Sequence, residues 1–219
     1  MTFRPAKAKV GVLVSGRGSN LQALLDAAAD PAFPAEIGLV LSNVPGVYAL
    51  ERAARAGVPT RVIEHKDFAS RDAFDAAMDA ALREAGVEIV CLAGFMRLLS
   101  AGFVSGWAGR MLNIHPALLP SFKGLHTHRR AIEAGVKLHG CTVHLVTPEL
   151  DDGPILAQAA VPVLASDDED SLAARVLAEE HRIYPLALRL LVEGRVRVDG
   201  NRAVVDAPGP GEGIRNPEM

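Results

Sequence analysis

Apolar runs alternate with helical segments along this chain, and this alternation constrains the fold more than any other feature. The run Val87–Ala93 is typical of a central parallel strand that is buried on both faces. The segment before it, Arg71–Ala85, has helical periodicity and ends at Gly86, with one apolar face made of Phe74, Ala77, Met78, Ala81 and Leu82. Repeats of this kind predict an α/β fold, with a mostly parallel twisted sheet and helices on both faces.

The same pattern predicts the other elements of the first half. Strands are expected at Val10–Ser15, Ile37–Ser42, Pro59–Ile63, Val87–Ala93 and Met111–Ile114, and helices at Asn20–Ala29, Tyr48–Ala56 and Arg71–Ala85. Ligands of such sheets bind at the C-terminal ends of the strands.

The C-terminal part has a different pattern. His139–Val146 and Ile155–Val163 are predicted to be antiparallel strands added to the sheet, and Asp170–Leu191 a long helix that is broken or kinked at Pro185. Gly194–Asn201 is predicted to end in a short hairpin with Asp199-Gly200 as its turn. We expect one domain over residues 1–206 and a disordered, Pro- and Gly-rich tail over residues 207–219.

Composition excludes several functional classes. The net charge of -3 gives no reason to expect nucleic acid or an anionic membrane as a partner. The longest apolar run, Ile89–Met96, is too short to span a bilayer, and the polar first nine residues show no signal peptide, so we expect a cytoplasmic protein. Cys91 and Cys141 are expected to be buried reduced thiols. No Cys/His cluster has the spacing of a zinc site, so no metal is expected.

The end of the strand at Met111–Ile114 carries the strongest chemical signal. Asn113 and His115 are two residues apart, so in a strand their side chains share a face, and Pro116 then ends the strand. An amide can stabilise a developing oxyanion and an imidazole can carry a proton. The pair therefore suits acyl-type chemistry.

A glycine-rich turn follows the first strand. In Ser15-Gly-Arg-Gly-Ser-Asn20, Gly16 and Gly18 would let backbone N–H groups approach an anion at the start of a helix. Leu21 replaces the third glycine of a dinucleotide fingerprint, so one phosphate is favoured over a pyrophosphate. Taken alone, the glycines could equally serve the backbone turn.

Four blocks in order carry a resemblance to a known family: Val10–Leu21, Ala93–Leu99, Met111–Pro120 and His139–Pro154. Together they resemble the 10-formyltetrahydrofolate-dependent phosphoribosylglycinamide formyltransferases of purine synthesis, from about Val10 to about Val192. The resemblance implies a Rossmann-like formyltransferase fold. It implies transfer of the formyl group of 10-formyltetrahydrofolate to the amine of glycinamide ribonucleotide, with these two small molecules as partners. It does not decide whether the protein forms a homodimer.

The resemblance also implies the catalytic residues. Asn113 and His115 would be joined by Asp151, the carboxylate that pairs with the catalytic histidine, although a turn carboxylate that caps local N–H groups is the alternative. His144 would neighbour the active site without being its acid. His126 and His128 would structure a loop. Leu119–Pro120 is a candidate for a cis peptide bond, and closure of Ser121–Thr127 over substrate is left open.

Two sets of ligand-binding residues follow from the same resemblance. The phosphate and ribose of the acceptor would be bound by Gly18, Ser19, Asn20 and Glu180. The folate would be bound by Arg71, Met96, Arg97, Leu98, Leu99, Asn113, Val146 and Thr147. The alternatives are an ordinary helix N-terminal charge for Arg71, a solvated helix charge for Glu180, and a hydrophobic helix start for the segment 95–99. Packing is expected to be part of the role of Phe95, Leu98 and Leu99.

Related activities share the Asn-His-Asp chemistry. Methionyl-tRNA formyltransferases carry an extra C-terminal domain and formyltetrahydrofolate deformylases an extra N-terminal one. Fewer than 30 residues follow Val192 and the first strand is expected at Val10, so neither of these activities is expected. Sugar-nucleotide formyltransferases stay open. A non-catalytic nucleotide-binding sensor would use the same glycine-rich turn, but it gives no reason for Asn113, His115 and Asp151 to occur together.

Overall fold

A computed structural model describes residues 7–206 of the chain, so the expected tail at 207–219 lies outside the described residues. The protein contains a mostly parallel seven-stranded sheet, in the order β3-β2-β1-β4-β5-β6-β7, and a two-stranded sheet, β8-β9. The chain forms two compact units, Met1–Leu112 and Asn113–Met219. The expectation of one domain over residues 1–206 stays a prediction.

The first unit is built from βα repeats. Its strands are β1 (Ala8–Val14), β2 (Ala35–Ser42), β3 (Thr60–Val62) and β4 (Ile89–Leu92). Its helices are α1 (Ser19–Ala29), α2 (Tyr48–Arg55), α3 (Arg71–Glu84) and α4 (Ala101–Gly106), with a 3₁₀ turn at His65–Asp67. β1 pairs in parallel with both β2 and β4, and β2 pairs in parallel with β3. The strands and helices predicted for this half are confirmed in their order, and α4 is a helix that was not predicted.

Burial explains why the apolar runs of this unit become strands. Val10, Val12, Leu13 and Val14 of β1 are fully buried, as are Val90 and Cys91 of β4. A strand that is covered on both faces has no polar side, which is why these segments lack alternation. The predicted apolar face of α3 is buried apart from Ala77, which is half-buried.

The second unit contains the antiparallel addition. Its strands are β5 (Met111–His115), in which the chain passes between the units, β6 (Leu138–Leu145), β7 (Ile155–Pro162), β8 (Val196–Asp199) and β9 (Arg202–Val205). Its helices are α5 (Thr127–Glu133) and α6 (Glu169–Val192). β6 and β7 pair antiparallel, as predicted. Asp199 pairs with Arg202, so the hairpin turns at Gly200-Asn201, one residue later than predicted.

The helix α6 corrects the first half of the prediction of a break or kink at Pro185. It runs through Pro185 without a break, although proline removes one hydrogen bond and costs about 3 kcal/mol inside a helix. Tyr184, Ala187 and Leu188 are fully buried on either side of the proline, and the helix packs against β6 and β7. This packing holds the helix together where local preference alone would end it.

Two observations bear on the surroundings in which the chain works. Cys91 and Cys141 are both buried and form no disulfide, as predicted. None of the helices within residues 7–206 combines the length and the apolar composition that a bilayer crossing requires.

Candidate active site

His115, the last residue of β5, lies between two hydrogen-bond acceptors. Its Nδ1 is 3.5 Å from Oδ2 of Asp151, and its Nε2 is 3.0 Å from the carbonyl oxygen of Phe122. The residue is only 5% exposed. A neutral imidazole carries one N–H and can donate to only one of these oxygens, whereas an imidazolium can donate to both. The two acceptors, one facing each ring nitrogen, therefore fix the orientation of the ring.

Asp151 lies in the loop between β6 and β7 and has an uncommon backbone conformation. Its φ of 49° is in the left-handed region, which non-glycine residues rarely adopt. Its Oδ2 also accepts a hydrogen bond of 2.9 Å from the backbone N–H of Gly124, and its side chain is 9% exposed. Gly124 is far away in sequence, so this bond joins two loops instead of capping a local turn. Asp152, by contrast, is exposed and forms an ion pair with Lys123.

Asn113 is oriented by His144. The Nδ1 of His144 is 2.8 Å from the carbonyl oxygen of Leu145, so this nitrogen carries the ring proton and donates. Burial lowers the pKa of His144, which favours the neutral ring and leaves Nε2 as an acceptor. Nε2 then accepts from Nδ2 of Asn113 at 3.1 Å. The amide orientation is thus determined, and its second N–H remains to donate elsewhere.

The loop after β5 is tied to the same cluster. Besides the Phe122 carbonyl and the Gly124 N–H, it is held by Arg130, which donates to the carbonyl oxygens of Lys123 at 2.6 Å and Leu125 at 3.3 Å. The Leu119–Pro120 bond is cis, the state for which the family resemblance made it a candidate. Within the second unit, the structure thus brings His115 and Asp151 together, and it places the Asn113 amide against His144.

The glycine-rich turn of the first unit contains two glycines with different roles. Gly18 has a φ of 70°, and a Cβ there would lie 2.6 Å from Cβ and 2.8 Å from Cα of Ala49. The backbone explanation therefore holds for Gly18. At Gly16 a Cβ would meet no atom within 4 Å. Ser19 begins α1, and Asn20 is buried in its first turn.

The residues expected to line a folate pocket in the first unit are open to solvent. Met96 and Leu98 are 64% and 61% exposed, and the segment 95–99 is not helical, so the alternative of a hydrophobic helix start is wrong. Arg97 is also exposed, Leu99 is half-buried, and Arg71 is an exposed residue at the start of α3. Exposed apolar side chains at a strand end are available to an apolar ligand.

The remaining predicted residues belong to the second unit. Val146 and Thr147 are half-buried just after β6. Glu180 lies on α6 and is only 7% exposed, so it is not the solvated helix charge that was the alternative. Burial raises the pKa of the Cys141 thiol, and the negative charge of Glu180 adds to this effect. Within residues 7–206 no group of three or more His, Cys, Asp or Glu side chains could hold a metal ion.

The contacts also include groups that the sequence did not point to. The backbone carbonyl of Phe122 and the N–H of Gly124 carry no side-chain signal, so no motif could have revealed them. Ser15 was noticed only as the start of a glycine-rich turn. Its hydroxyl, however, hydrogen-bonds both Asn43 and the backbone of Met96.

Comparison with known proteins places this geometry in a family. The sequence pattern of the formyl transferase family matches residues 8–188. The chain belongs to the formyl transferase family. It is 48% identical to the phosphoribosylglycinamide formyltransferase of Escherichia coli (strain K12), over 89% of this chain and 92% of that protein.

Two further relatives of this formyl transferase are informative. It is 54% identical to the trifunctional purine biosynthetic protein adenosine-3 of Gallus gallus, but it spans only 19% of that protein's length. The crystal structure of glycinamide ribonucleotide transformylase 1 from Symbiobacterium toebii superposes with a TM-score of 0.91 at 48% identity, covering 94% of this chain and 97% of that one. The Rossmann-like formyltransferase fold expected from the resemblance is confirmed.

Proposed function

We propose that this chain is a phosphoribosylglycinamide formyltransferase. It transfers the formyl group of 10-formyltetrahydrofolate to the amine of glycinamide ribonucleotide, giving formylglycinamide ribonucleotide and tetrahydrofolate in purine biosynthesis. The observation that carries the proposal is the buried His115–Asp151 pair, together with an Asn113 amide that His144 orients. The chain's match to nearly the full length of the Escherichia coli enzyme supports the choice of substrates.

The first step is attack on the formyl carbon. The amine nitrogen of glycinamide ribonucleotide forms a bond to that carbon, and the carbonyl electron pair moves to the oxygen, which becomes negative. The second N–H of Asn113 donates to this oxygen, because its first N–H is held by His144. A donor placed in advance at such an oxyanion typically contributes about 10²–10³ in rate.

The second step expels the folate. The bond between the formyl carbon and N10 of the folate breaks, the attacking amine loses a proton, and N10 gains one, so that atoms and charge balance. His115 in its imidazolium form stabilises the oxyanion, and Asp151 holds the ring in place. We assign the proton path to His115 and a water molecule. None of these steps requires a metal ion or a covalent enzyme intermediate.

Binding roles are assigned separately in each unit. In the first, Gly18, Ser19 and Asn20 bind the 5′-phosphate through backbone N–H groups at the start of α1, where the helix dipole favours an anion. There we also assign folate contacts to Arg71 and to Met96, Arg97, Leu98 and Leu99. In the second unit we assign folate contacts to Asn113, Val146 and Thr147, and the ribose hydroxyls to the buried carboxylate of Glu180.

One assay tests the proposal. Formyl transfer from 10-formyltetrahydrofolate to glycinamide ribonucleotide is compared with hydrolysis of the folate when no acceptor is present. We expect rapid transfer and slow hydrolysis. Hydrolysis that does not depend on the acceptor would instead identify a deformylase, and transfer only to an amino-sugar nucleotide would identify a sugar-nucleotide formyltransferase. Sedimentation tests the homodimer, and buried thiols that form no disulfide accord with the proposed cytoplasmic location.

A further inference from the structure

Three strand ends of the first unit are joined by one hydroxyl group. Ser15 follows β1, Asn43 follows β2, and Met96 lies in the loop after β4. The Ser15 hydroxyl donates to Oδ1 of Asn43 at 2.6 Å and accepts from the backbone N–H of Met96 at 2.8 Å. The backbone N–H of Ser15 also donates to the carbonyl oxygen of Gly94 at 3.2 Å. We call Ser15, Asn43 and Met96 the Ser15 node.

The hydrogen bonds of the Ser15 node run in one direction, from the Met96 N–H to the Ser15 hydroxyl and from that hydroxyl to Asn43. A serine hydroxyl has a single proton, and here the buried Oδ1 of Asn43 takes it. The oxygen lone pairs are then left for an N–H donor, which Met96 supplies. Asn43 therefore orients the hydroxyl, and the hydroxyl in turn anchors the loop that begins at Met96.

The opposite side of the glycine-rich turn is anchored by α2. The N–H of Ala49 donates to the carbonyl oxygen of Gly16 at 3.2 Å, and Nε of Arg52 donates to that of Arg17 at 3.0 Å. The turn is thus held from α2 on one side and from Ser15 on the other. The Ser15 contact also reaches Met96, the first residue of the loop Met96–Leu99.

We propose that Ser15 is a positioning residue for both ligand loops of the first unit. Its hydroxyl group fixes the distance between the start of the phosphate-binding turn and the start of the folate-binding loop. This inference rests on the proposed function, which assigns those two ligands to the two loops. If the hydroxyl is removed, each loop must be ordered by its own ligand, and the cost of ordering is subtracted from the binding free energy.

The test is steady-state kinetics of Ser15→Ala with both substrates. Loss of a typical hydrogen bond corresponds to a factor of about three to ten, so we expect both KM values to rise by that factor. We expect kcat to stay within about twofold, because Ser15 does not touch the reacting atoms. A rise in only one KM, an unchanged pair of KM values, or a loss confined to kcat would overturn the proposal.

A matched control separates positioning from general destabilisation. Asp79 on α3 also accepts two side-chain hydrogen bonds in this unit, from Trp107 at 2.8 Å and from Arg83 at 2.7 Å. Asp79→Ala should lower the melting temperature without raising either KM. An equal rise of both KM values in Asp79→Ala would contradict a specific role for Ser15.

The Asn43→Ala substitution tests whether Asn43 acts through the Ser15 hydroxyl. If Asn43 acts only by orienting the hydroxyl, adding Asn43→Ala to Ser15→Ala changes neither KM further, whereas additive effects would contradict this order of action. Amide hydrogen exchange gives a readout independent of catalysis, because the N–H of Met96 should exchange faster in Ser15→Ala. Unchanged exchange at Met96 overturns the node. Absence of formyl transfer by the wild-type protein contradicts only the proposed function.

Discussion

The two units present their functional residues in opposite ways. In the first unit the candidate ligand residues are glycines, backbone N–H groups at the start of α1, and exposed side chains such as Met96 and Leu98. In the second unit His115 and His144 are buried, the Asp151 side chain is only 9% exposed, and these groups lie close to one another or to nearby backbone. Binding surfaces must stay open to the ligand, whereas groups that move protons gain from a water-poor setting in which electrostatic interactions are stronger.

The largest effect should come from the second unit. His115→Ala removes the proposed proton carrier and should lower kcat by about 10²–10⁴, with the fold intact. Steady-state turnover together with circular dichroism measures this effect. His126→Ala is the control, because His126 is an exposed histidine of the same unit and should retain most activity. A well-folded His115→Ala protein with near-normal turnover would show that the buried cluster is not the catalytic one.

Substitutions at the two glycines of the turn in the first unit should differ strongly in their effect on the stability of the protein. Gly18→Val forces a branched side chain into a left-handed conformation and against Ala49, so it should cost about 2–4 kcal/mol of stability. Gly16→Ala places a methyl group in open space, and it should leave stability within about 0.5 kcal/mol. Denaturant unfolding of both variants measures this difference. If Gly18→Val were as stable as wild type, the turn would have to be open at Ala49.

Lowering the pH should reduce the stability of the second unit, because His139 is buried there. This residue is 1% exposed, and burial, aided by the nearby His128, lowers its pKa to about 4 from an ordinary 6.5. Between these pH values the unfolded chain binds a proton at His139 and the folded chain does not. Stability is therefore fully present above pH 6.5 and falls as the pH drops towards 4, by about 1–2 kcal/mol at pH 5.

Unfolding of His139→Gln against pH tests this contribution. The slope between pH 6.5 and 4 should become shallower in this variant than in wild type. The same slope in wild type and His139→Gln would mean that other groups carry the pH dependence.

The smallest expected effect is a change in kcat of the His144→Leu variant, which tests whether His144 acts by orienting the Asn113 amide. His144→Leu removes the acceptor that holds the Asn113 amide, so the amide can rotate, and kcat should fall by about three- to tenfold with KM nearly unchanged. Steady-state kinetics with both substrates is the measurement. A loss as large as that of His115→Ala would instead assign His144 a direct role in the chemistry.

The sequence predicted the fold well where one periodicity dominates over a long segment. β1, β4 and α3 were correctly predicted because their apolar patterns match a buried strand or an amphipathic helix. The short helices α4 and α5 were missed, since six or seven residues give too little periodicity. The break at Pro185 was wrong because burial on both sides of the proline outweighs its local preference.

The sequence by itself determined the residue types and their order along the chain: Asn113 and His115 at a strand end, the glycine-rich turn, and the acidic loop with Asp151. Only the tertiary structure decided which partners they have. The carbonyl of Phe122 on His115, the N–H of Gly124 on Asp151, and the Ser15 hydroxyl on Met96 each join segments that are separate in the sequence. The reason is physical: backbone groups are the same at every residue, so their partners depend on which segments the folded chain brings together.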